Sequence, residues 1–376
     1  EDPRRQRQMC IRDRLRDVRL VYAPPAHVGE YGGEIDNWMY PRHTGDFALV
    51  RAYVGKDGTS KVYADDNIPF TSDSYLKISA KGVEEDDFVM ILGYPGRTNR
   101  LLTFNQREYD LSEGFQNYVD FLESRINLIE THTNDEDGSS LVYRGTKSGA
   151  ENYYKKISGQ IQGAKNFNVL ENERNNWRGF MQYVEMNATA QEKAYLNELL
   201  AIIDKDIATT ESNRYFGGST LIQFANYLLR NAEQRNKPDL ERKSGYQDRD
   251  QEAIQNQIKY LNNAFNIRVD KELFLANIKK YRTFDADLRR PIYSNALNLD
   301  SDENTMLLRI DEIYSTNYST PEKMLELYEM SFEEMMNLDD PLIDFLKVVY
   351  EENLSYEEKG EKLSLIHISE PTRHRL

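Results

Sequence analysis

The sequence predicts an α+β chain of more than one domain, a short block of paired strands followed by a long all-helical region, and three observations carry that prediction. Apolar residues alternate in period two before residue 100 and recur every three or four residues after it. Six of the eleven prolines fall before residue 100 and none lies between residues 96 and 237, so the punctuation of the chain changes with its periodicity. The 376 residues, 39% hydrophobic and 30% charged, are enough for two globular domains and far from a disordered or fibrous composition.

Taken in order, the strand-sized segments are residues 18–23, 47–54, 75–79 and 88–92. Gly55-Lys56-Asp57-Gly58 reads as a hairpin-type turn after the second, and Gly93-Tyr94-Pro95-Gly96 as a loop after the fourth. This block therefore reads as antiparallel strands from a barrel or sandwich. Beyond residue 100 the spacing of Phe115, Val119, Leu122, Ile126 and Ile129 predicts an amphipathic helix, and helix follows helix to the end. Thr320-Pro321-Glu322 and Asp340-Pro341 each set a capping side chain before a proline at the first helical position, and Asp270 before Lys271-Glu272 is a weaker start signal. Residues 231–251, dense in charge, read as a solvated helix or exposed connection. No repeat of roughly 30–45 residues recurs, which disfavours a regular solenoid.

The formal net charge of −15 disfavours an extended nucleic-acid groove. No apolar run reaches the roughly 18 residues that would span a bilayer. A single cysteine, Cys10, leaves no internal disulfide framework and no thiolate metal cluster, and the compartment stays open on that count. His27, His43 and His132 are scattered and no HExxH or CxxC pattern occurs, so neither a metal nor another cofactor is expected.

The ends of the chain look foreign. Residues 1–14 have no initiating Met and no apolar signal core, and MCIRDR at 9–14 and LIHISEPTRH at 365–374 resemble translated sequencing-adapter peptides. Residues 1–14 and 364–376 are therefore expected to be artefact, which removes Cys10, His367 and His374 from the argument, and the rest is expected to be an internal fragment of a longer reading frame.

Residues 32–47, GGEIDNWMYPRHTGDF, pack two glycines, a Trp, a Pro-Arg-His run and acids into a segment too irregular for a helix and too polar for a core strand, directly before a strand. Loops of this kind beside a rigid strand are where binding and catalytic groups gather. The run resembles the hallmark segment of the bacterial dipeptidyl-peptidase 7 and dipeptidyl-peptidase 11 family of serine exopeptidases. VRLVYAPP at 18–25, GYPGRT at 93–98 and GAENYYKK at 149–156 resemble that family in the same order and spacing, so the likeness extends over residues 15–364.

The resemblance implies an α+β multidomain protein in which part of a chymotrypsin-like double β-barrel, here residues 15–98, is followed by a large all-α inserted domain, residues 99–363, that caps the active site. It implies a Ser-His-Asp triad in the chain order His, Asp, Ser, with the acid at Asp46 and the His and Ser outside this chain. Such an acid holds the imidazole in the correct tautomer and stabilises the imidazolium. His43, three residues before Asp46, is a decoy, because tertiary placement and not sequence proximity sets triad geometry; His27 too reads as a hydrogen-bonded loop histidine. Asn37, Trp38 and Asn152 match the family residues that receive the substrate's α-ammonium. An ammonium offers three donors and no acceptor, so it asks for side-chain oxygens and an aromatic wall. Two extended residues span roughly 7 Å, so an amine anchor at that distance from the nucleophile measures off a dipeptide. Tyr40 stands where many relatives carry a second Trp, a smaller aromatic wall with an added hydroxyl.

Read without the resemblance, Asp46 is an exposed acid or an Asx turn, Asn37 a turn residue, Trp38 core packing and Asn152 a solvent-facing helix residue. The function expected is a fragment of a periplasmic, Gram-negative serine dipeptidyl aminopeptidase acting on peptides with free N-termini, inactive in isolation. Homodimerisation is a family habit for which no stripe in the sequence speaks. The alternative is a non-enzymatic helical interaction module with a small β appendage.

Overall fold

The computed structural model describes residues 15–72, 74–90, 102–263 and 265–367, with side chains described through residue 358. The expected loop at 93–98, the boundary at 98/99 and the stretches 1–14 and 368–376 lie outside the described residues. The chain divides into two compact units, Glu1–Arg100 and Leu101–Leu376.

The first unit is built on strands β1 (Asp17–Tyr22), β2 (Leu49–Val54) and β3 (Ile68–Pro69), in the order β1-β2-β3 and antiparallel throughout. Val18 faces Ala52 and Leu20 faces Val50 across the first pair. The period-two alternation locates β1 and β2 but not β3, and on β1 the face that is covered is the polar one. Asp17, 2% exposed, takes both Nε (3.0 Å) and Nη2 (2.8 Å) of Arg19 and the Asn67 amide (2.9 Å). The Arg19 guanidinium also donates to the Ala64 carbonyl at 2.9 Å and lies 3.9 Å from the Tyr53 ring centroid and 4.7 Å from that of Tyr63. Val18, Leu20 and Val50, the apolar side of the ladder, are exposed. The Gly55–Gly58 turn forms as expected, with Gly58 at φ +76° and its amide on the Gly55 carbonyl at 2.8 Å.

Residues 75–79 and 88–90 are not strands. A strand needs a ladder partner, and among the described residues only β1, β2 and β3 pair. Ile78 is 99% exposed, so no core rewards pairing there. Of the expected double β-barrel, the described residues contain this single three-stranded sheet.

The second unit is helical. Helices α1 (Ala26–Gly29) and α2 (Gly33–Asp36) belong to the first unit; here α3 (Phe104–Tyr109), α4 (Phe115–His132), α5 (Ser139–Asn166), α6 (Val169–Asn187) and α7 (Ala190–Tyr215) come first. They are followed by α8 (Thr220–Arg235), α9 (Asp248–Lys259), α10 (Ile267–Tyr281), α11 (Pro291–Ala296), α12 (Glu303–Tyr314), α13 (Pro321–Glu329), α14 (Phe332–Met336) and α15 (Pro341–His367). Val119, Leu122 and Ile129 of the predicted stripe are buried on α4. The main core is formed by α8 to α15, centred on side chains such as Leu228, Phe274, Ile310 and Phe345 with no exposed surface or almost none. A smaller cluster of Ile129, Tyr143, Val269 and Leu273 joins α4, α5 and α10. By contrast α6 buries no residue and α7 only Ser212.

Thr320 and Asp340 cap as expected, with Thr320 accepting from the Lys323 amide and Asp340 from those of Leu342 and Ile343. Asp270 does not start a helix. The start is Asn266, whose Oδ1 accepts from the amides of Arg268 and Val269, and Asp270 sits inside α10, turned to another helix. Its carboxylate takes the Thr220 and Leu221 amides at 2.7 and 3.3 Å and Ser219 Oγ at 2.8 Å, capping α8 from outside, while the Tyr314 hydroxyl of α12 lies 2.8 Å away. The segment 231–251 is less solvated than its charge suggests, since Asn231 and Gln234 are fully buried and Gln234 Oε1 accepts from the Lys243 amide at 3.0 Å.

Three outcomes follow from this packing. Leu228→Ala destabilises the helical unit by about 2–5 kcal/mol in urea unfolding, while Leu240→Ala, at an exposed position, stays within about 0.5 kcal/mol. Asp270→Ala leaves two amides and the Ser219 hydroxyl without their acceptor, while the Tyr314 hydroxyl keeps Ser219 Oγ at 2.7 Å, and costs about 3 kcal/mol or more by the same measurement. The Arg19 guanidinium, together with Asn67, lowers the Asp17 carboxyl from 3.8 to about 2. Its stabilisation is thus complete above the unfolded value and is lost as pH falls through the folded one. The urea-midpoint difference between wild type and Asp17→Asn is constant above about pH 5 and shrinks toward pH 2; a difference that does not change with pH contradicts the assignment.

Candidate active site

The polar run of the sequence is the connection between β1 and β2. It begins with α1 after Pro25 and turns at Gly32, φ +79°, into α2. A Cβ at Gly32 would stand 1.9 Å from Asp36 Oδ2, so both the left-handed backbone and the close approach require glycine there. After α2 the backbone of Asn37 is extended, and Trp38 adopts φ +59°. That region is costly for a bulky side chain and is kept only where surrounding bonds over-determine it.

Those bonds form a chain of side chains. Asn37 Nδ2 donates to Glu34 Oε2 at 2.9 Å, and Arg42 Nη1 donates to Asn37 Oδ1 at 2.9 Å. Arg42 Nε donates to Thr44 Oγ1 at 2.9 Å, and Thr44 Oγ1 donates to the Tyr31 carbonyl at 3.1 Å. The amide plane of Asn37 is thereby fixed, with its oxygen toward a cation and its nitrogen toward a carboxylate. An amide oxygen and, on the nitrogen side of the same amide, the Glu34 carboxylate are acceptors of the kind an ammonium needs. Trp38 is 59% exposed and is not packed into a core among the described residues. Tyr40 is exposed and joined to Pro41 by a cis peptide bond.

Asp46 is placed by its neighbours. The Gly45 amide donates to the Val28 carbonyl at 2.9 Å, and a Cβ at Gly45 would meet Val28 Cγ1 at 2.9 Å, so the end of the connection is pinned against α1. One residue later the Phe47 ring lies 5.9 Å from that of Tyr22 at the end of β1. Between these anchors Asp46 is exposed, as is His43. An exposed carboxylate on a pinned backbone can receive an imidazole N–H. Asn37, Trp38 and Asp46 are thus brought onto one connection.

Asn152 lies in the other unit, near the middle of α5. It is half-buried, off the stripe of Tyr143, Ala150 and Ile157 by which that helix is buried. The neighbouring residue Tyr153 meets Tyr118 of α4 at 6.4 Å between ring centroids, and Lys147, bridged to Glu130 at 2.7 Å, ties the same two helices. Sequence reading missed Glu34 and Arg42 as the holders of Asn37. The Glu34/Asn37 spacing of three at a helix end was the available signal. Among the described residues no group of three His, Cys, Asp or Glu is placed to hold a metal ion, and none of their helices is long and apolar enough to cross a membrane.

Comparison with known proteins returns one family model, Peptidase S46, matched over residues 6–370. The chain is 33% identical to the Asp/Glu-specific dipeptidyl-peptidase of Shewanella putrefaciens over 353 residues, 93% of this chain and 48% of that one. It is 40% identical to dipeptidyl-peptidase 7 of Capnocytophaga gingivalis over 147 residues, 39% of this chain and 21% of the relative. Among solved structures, Porphyromonas endodontalis DPP11 in complex with the dipeptide Arg-Asp superposes with a TM-score of 0.60 at 22% identity, covering 92% of this chain and 49% of the other. This chain spans about half the length of the Shewanella relative and of that DPP11 chain. On a family match that runs through both the strand-built connection and the helices, the chain belongs to the Peptidase S46 family.

Proposed function

We propose that this chain is part of a serine-type dipeptidyl aminopeptidase, which releases dipeptides from peptides with a free N-terminus and works outside the cytoplasm, in the periplasm of a Gram-negative bacterium. The observation that carries the reading is the β1–β2 connection, where a fixed asparagine amide, an exposed indole and an exposed carboxylate occur within ten residues, 37–46. Relatives of this chain bear the names dipeptidyl-peptidase 7 and Asp/Glu-specific dipeptidyl-peptidase.

In this reading Asp46 accepts the N–H of a histidine supplied from outside this chain and orients it as general base for a serine also outside it. The serine attacks the carbonyl, backbone donors stabilise the oxyanion, and water clears the acyl-enzyme. Asn37, Trp38 and Asn152 hold the substrate's α-ammonium, so the cut falls two residues in. Glu34 and Arg42 are positioning residues for Asn37. The exposed apolar ladder of Val18, Leu20 and Val50 supports a β-barrel as the parent fold, because closing a sheet buries such a face. The domains then run as proposed from the sequence, residues 15–98 in the barrel and 99–363 as a helical insertion, and a homodimer is the assembly proposed.

The test is dipeptide release by the full-length parent protein from fluorogenic peptides with free and blocked N-termini. Free amines alone are cut, Asp46→Asn lowers kcat by about 10⁴, and Asn37→Ala lowers kcat/KM about tenfold or more, as the loss of one bond to a charged group of about 1.5–3 kcal/mol requires. Equal cleavage of blocked peptides would remove Asn37, Trp38 and Asn152 from the site. The 376-residue chain alone releases no dipeptide, and serine-dependent release by it overturns the assignment of the missing triad members.

A further inference from the structure

Helices α4 and α10 and the last residue of α7 enclose a pocket of about 150 Å3 within the helical unit. Its apolar wall includes Phe121, Tyr215 and Leu273, the first two meeting edge-on with ring centroids 5.2 Å apart. Its charged groups are Arg125 and Lys280. No carboxylate lines it, although the chain as a whole carries a net charge of −15.

Arg125 is half-buried, and burial depresses its guanidinium pKa. The groups that act on it through space are Tyr118, Tyr143 and Asp270. None of them is its hydrogen-bond partner among the described residues, and the Asp270 oxygens are already occupied by Ser219, Thr220, Leu221 and Tyr314. Ser124 and Asn277 are the neutral polar groups of the lining, and a partly desolvated guanidinium facing a cavity that holds no negative charge is an arrangement that an entering anion improves. Arginine's planar fork matches a carboxylate with two parallel bonds. At this volume the pocket lies below the roughly 300 Å3 from which drug-sized ligands begin, so the anion is small. An adjoining shallow groove shares Ser124 and Leu128 with the pocket and brings Asp120 and Glu123 beside it, where a second negative charge on the ligand would be repelled.

We propose that this pocket binds a small organic monocarboxylate, its carboxylate on Arg125 with Lys280 assisting, and its apolar group against Phe121 and Tyr215. The inference is independent of the peptidase reading.

Isothermal titration of the 376-residue chain with phenylacetate, phenylacetamide and inorganic phosphate tests it. Phenylacetate binds, the neutral amide and the phosphate bind at least roughly tenfold more weakly, and Arg125→Gln weakens phenylacetate by roughly tenfold or more while its circular dichroism and melting stay those of wild type. Lys280→Gln, at an exposed position, weakens it by a smaller factor and decides the matter if Arg125→Gln does not fold. The proposal is overturned if phenylacetate does not bind the wild-type chain, if the amide or the phosphate binds as well as the acid, or if neither variant changes the affinity.

Discussion

One buried carboxylate organises the helical unit. Asp270 projects from α10, caps α8 through two backbone amides and Ser219, and meets the Tyr314 hydroxyl of α12. A carboxylate 1% exposed is tolerable only when it is hydrogen-bonded, and here two amides and the Ser219 hydroxyl donate to it with the Tyr314 hydroxyl 2.8 Å away. Burial, the largest influence, and the nearby carboxylate both push the Tyr314 phenol upward, so it remains a donor. Three helices distant in sequence are in this way held in one register, and the apolar contacts of Leu228, Phe274 and Ile310 close around that fixed point. The same carboxylate contributes to the field on Arg125, which it does not contact.

The strand unit solves a different problem. A sheet of three short strands has too little area to build an apolar core, and β1 instead turns Asp17 and Arg19 toward Tyr53, Tyr63 and Asn67. Paired, hydrogen-bonded and roofed by aromatic rings, these charges hold the end of the β1–β2 ladder where Asp17 faces Tyr53, away from the connection that leaves β1 at Tyr22. The strain at Trp38 is sustained because the connection is pinned at both ends, by the ladder and by the Gly45 contact with α1.

What was legible in the sequence was what periodicity and local chemistry encode. The alternation at 18–23 and 47–54 gave two strands, the three-and-four spacing from Phe115 gave a helix, and proline after a capping residue gave the starts at Pro321 and Pro341. Segments 75–79 and 88–90 alternate as well, yet alternation states only that a strand would have two unlike faces and says nothing of a partner. The covered face of β1 was likewise hidden, because an Asp-Arg pair reads as surface until Asn67, fifty residues later, is folded over it. Asp270 reads as a helix start for the same reason: the helix it caps lies fifty residues back. In the candidate site, the run at 32–47 and its family resemblance singled out Asn37, Trp38 and Asp46 as candidates, while the partners of Asn37, Glu34 and Arg42, required the fold of the connection.

On the proposed reading of Asn37 as an amine anchor and Asp46 as a triad acid, that fold bears on how the two can work together. If a peptide is measured by the distance between its ammonium and its scissile carbonyl, an error of about 1 Å between anchor and acid costs rate by orders of magnitude. Anchors on separate flexible loops would wander independently. Placing Asn37 and Asp46 on one connection, braced internally by Arg42 and Thr44 and pinned at Gly45, makes their separation a property of a single short piece of backbone. The left-handed Trp38 is then understandable as the turn that aims the indole outward while Asn37 stays in the bracing chain, so that the strain at one residue sets the direction of the wall against which the substrate's amine would rest.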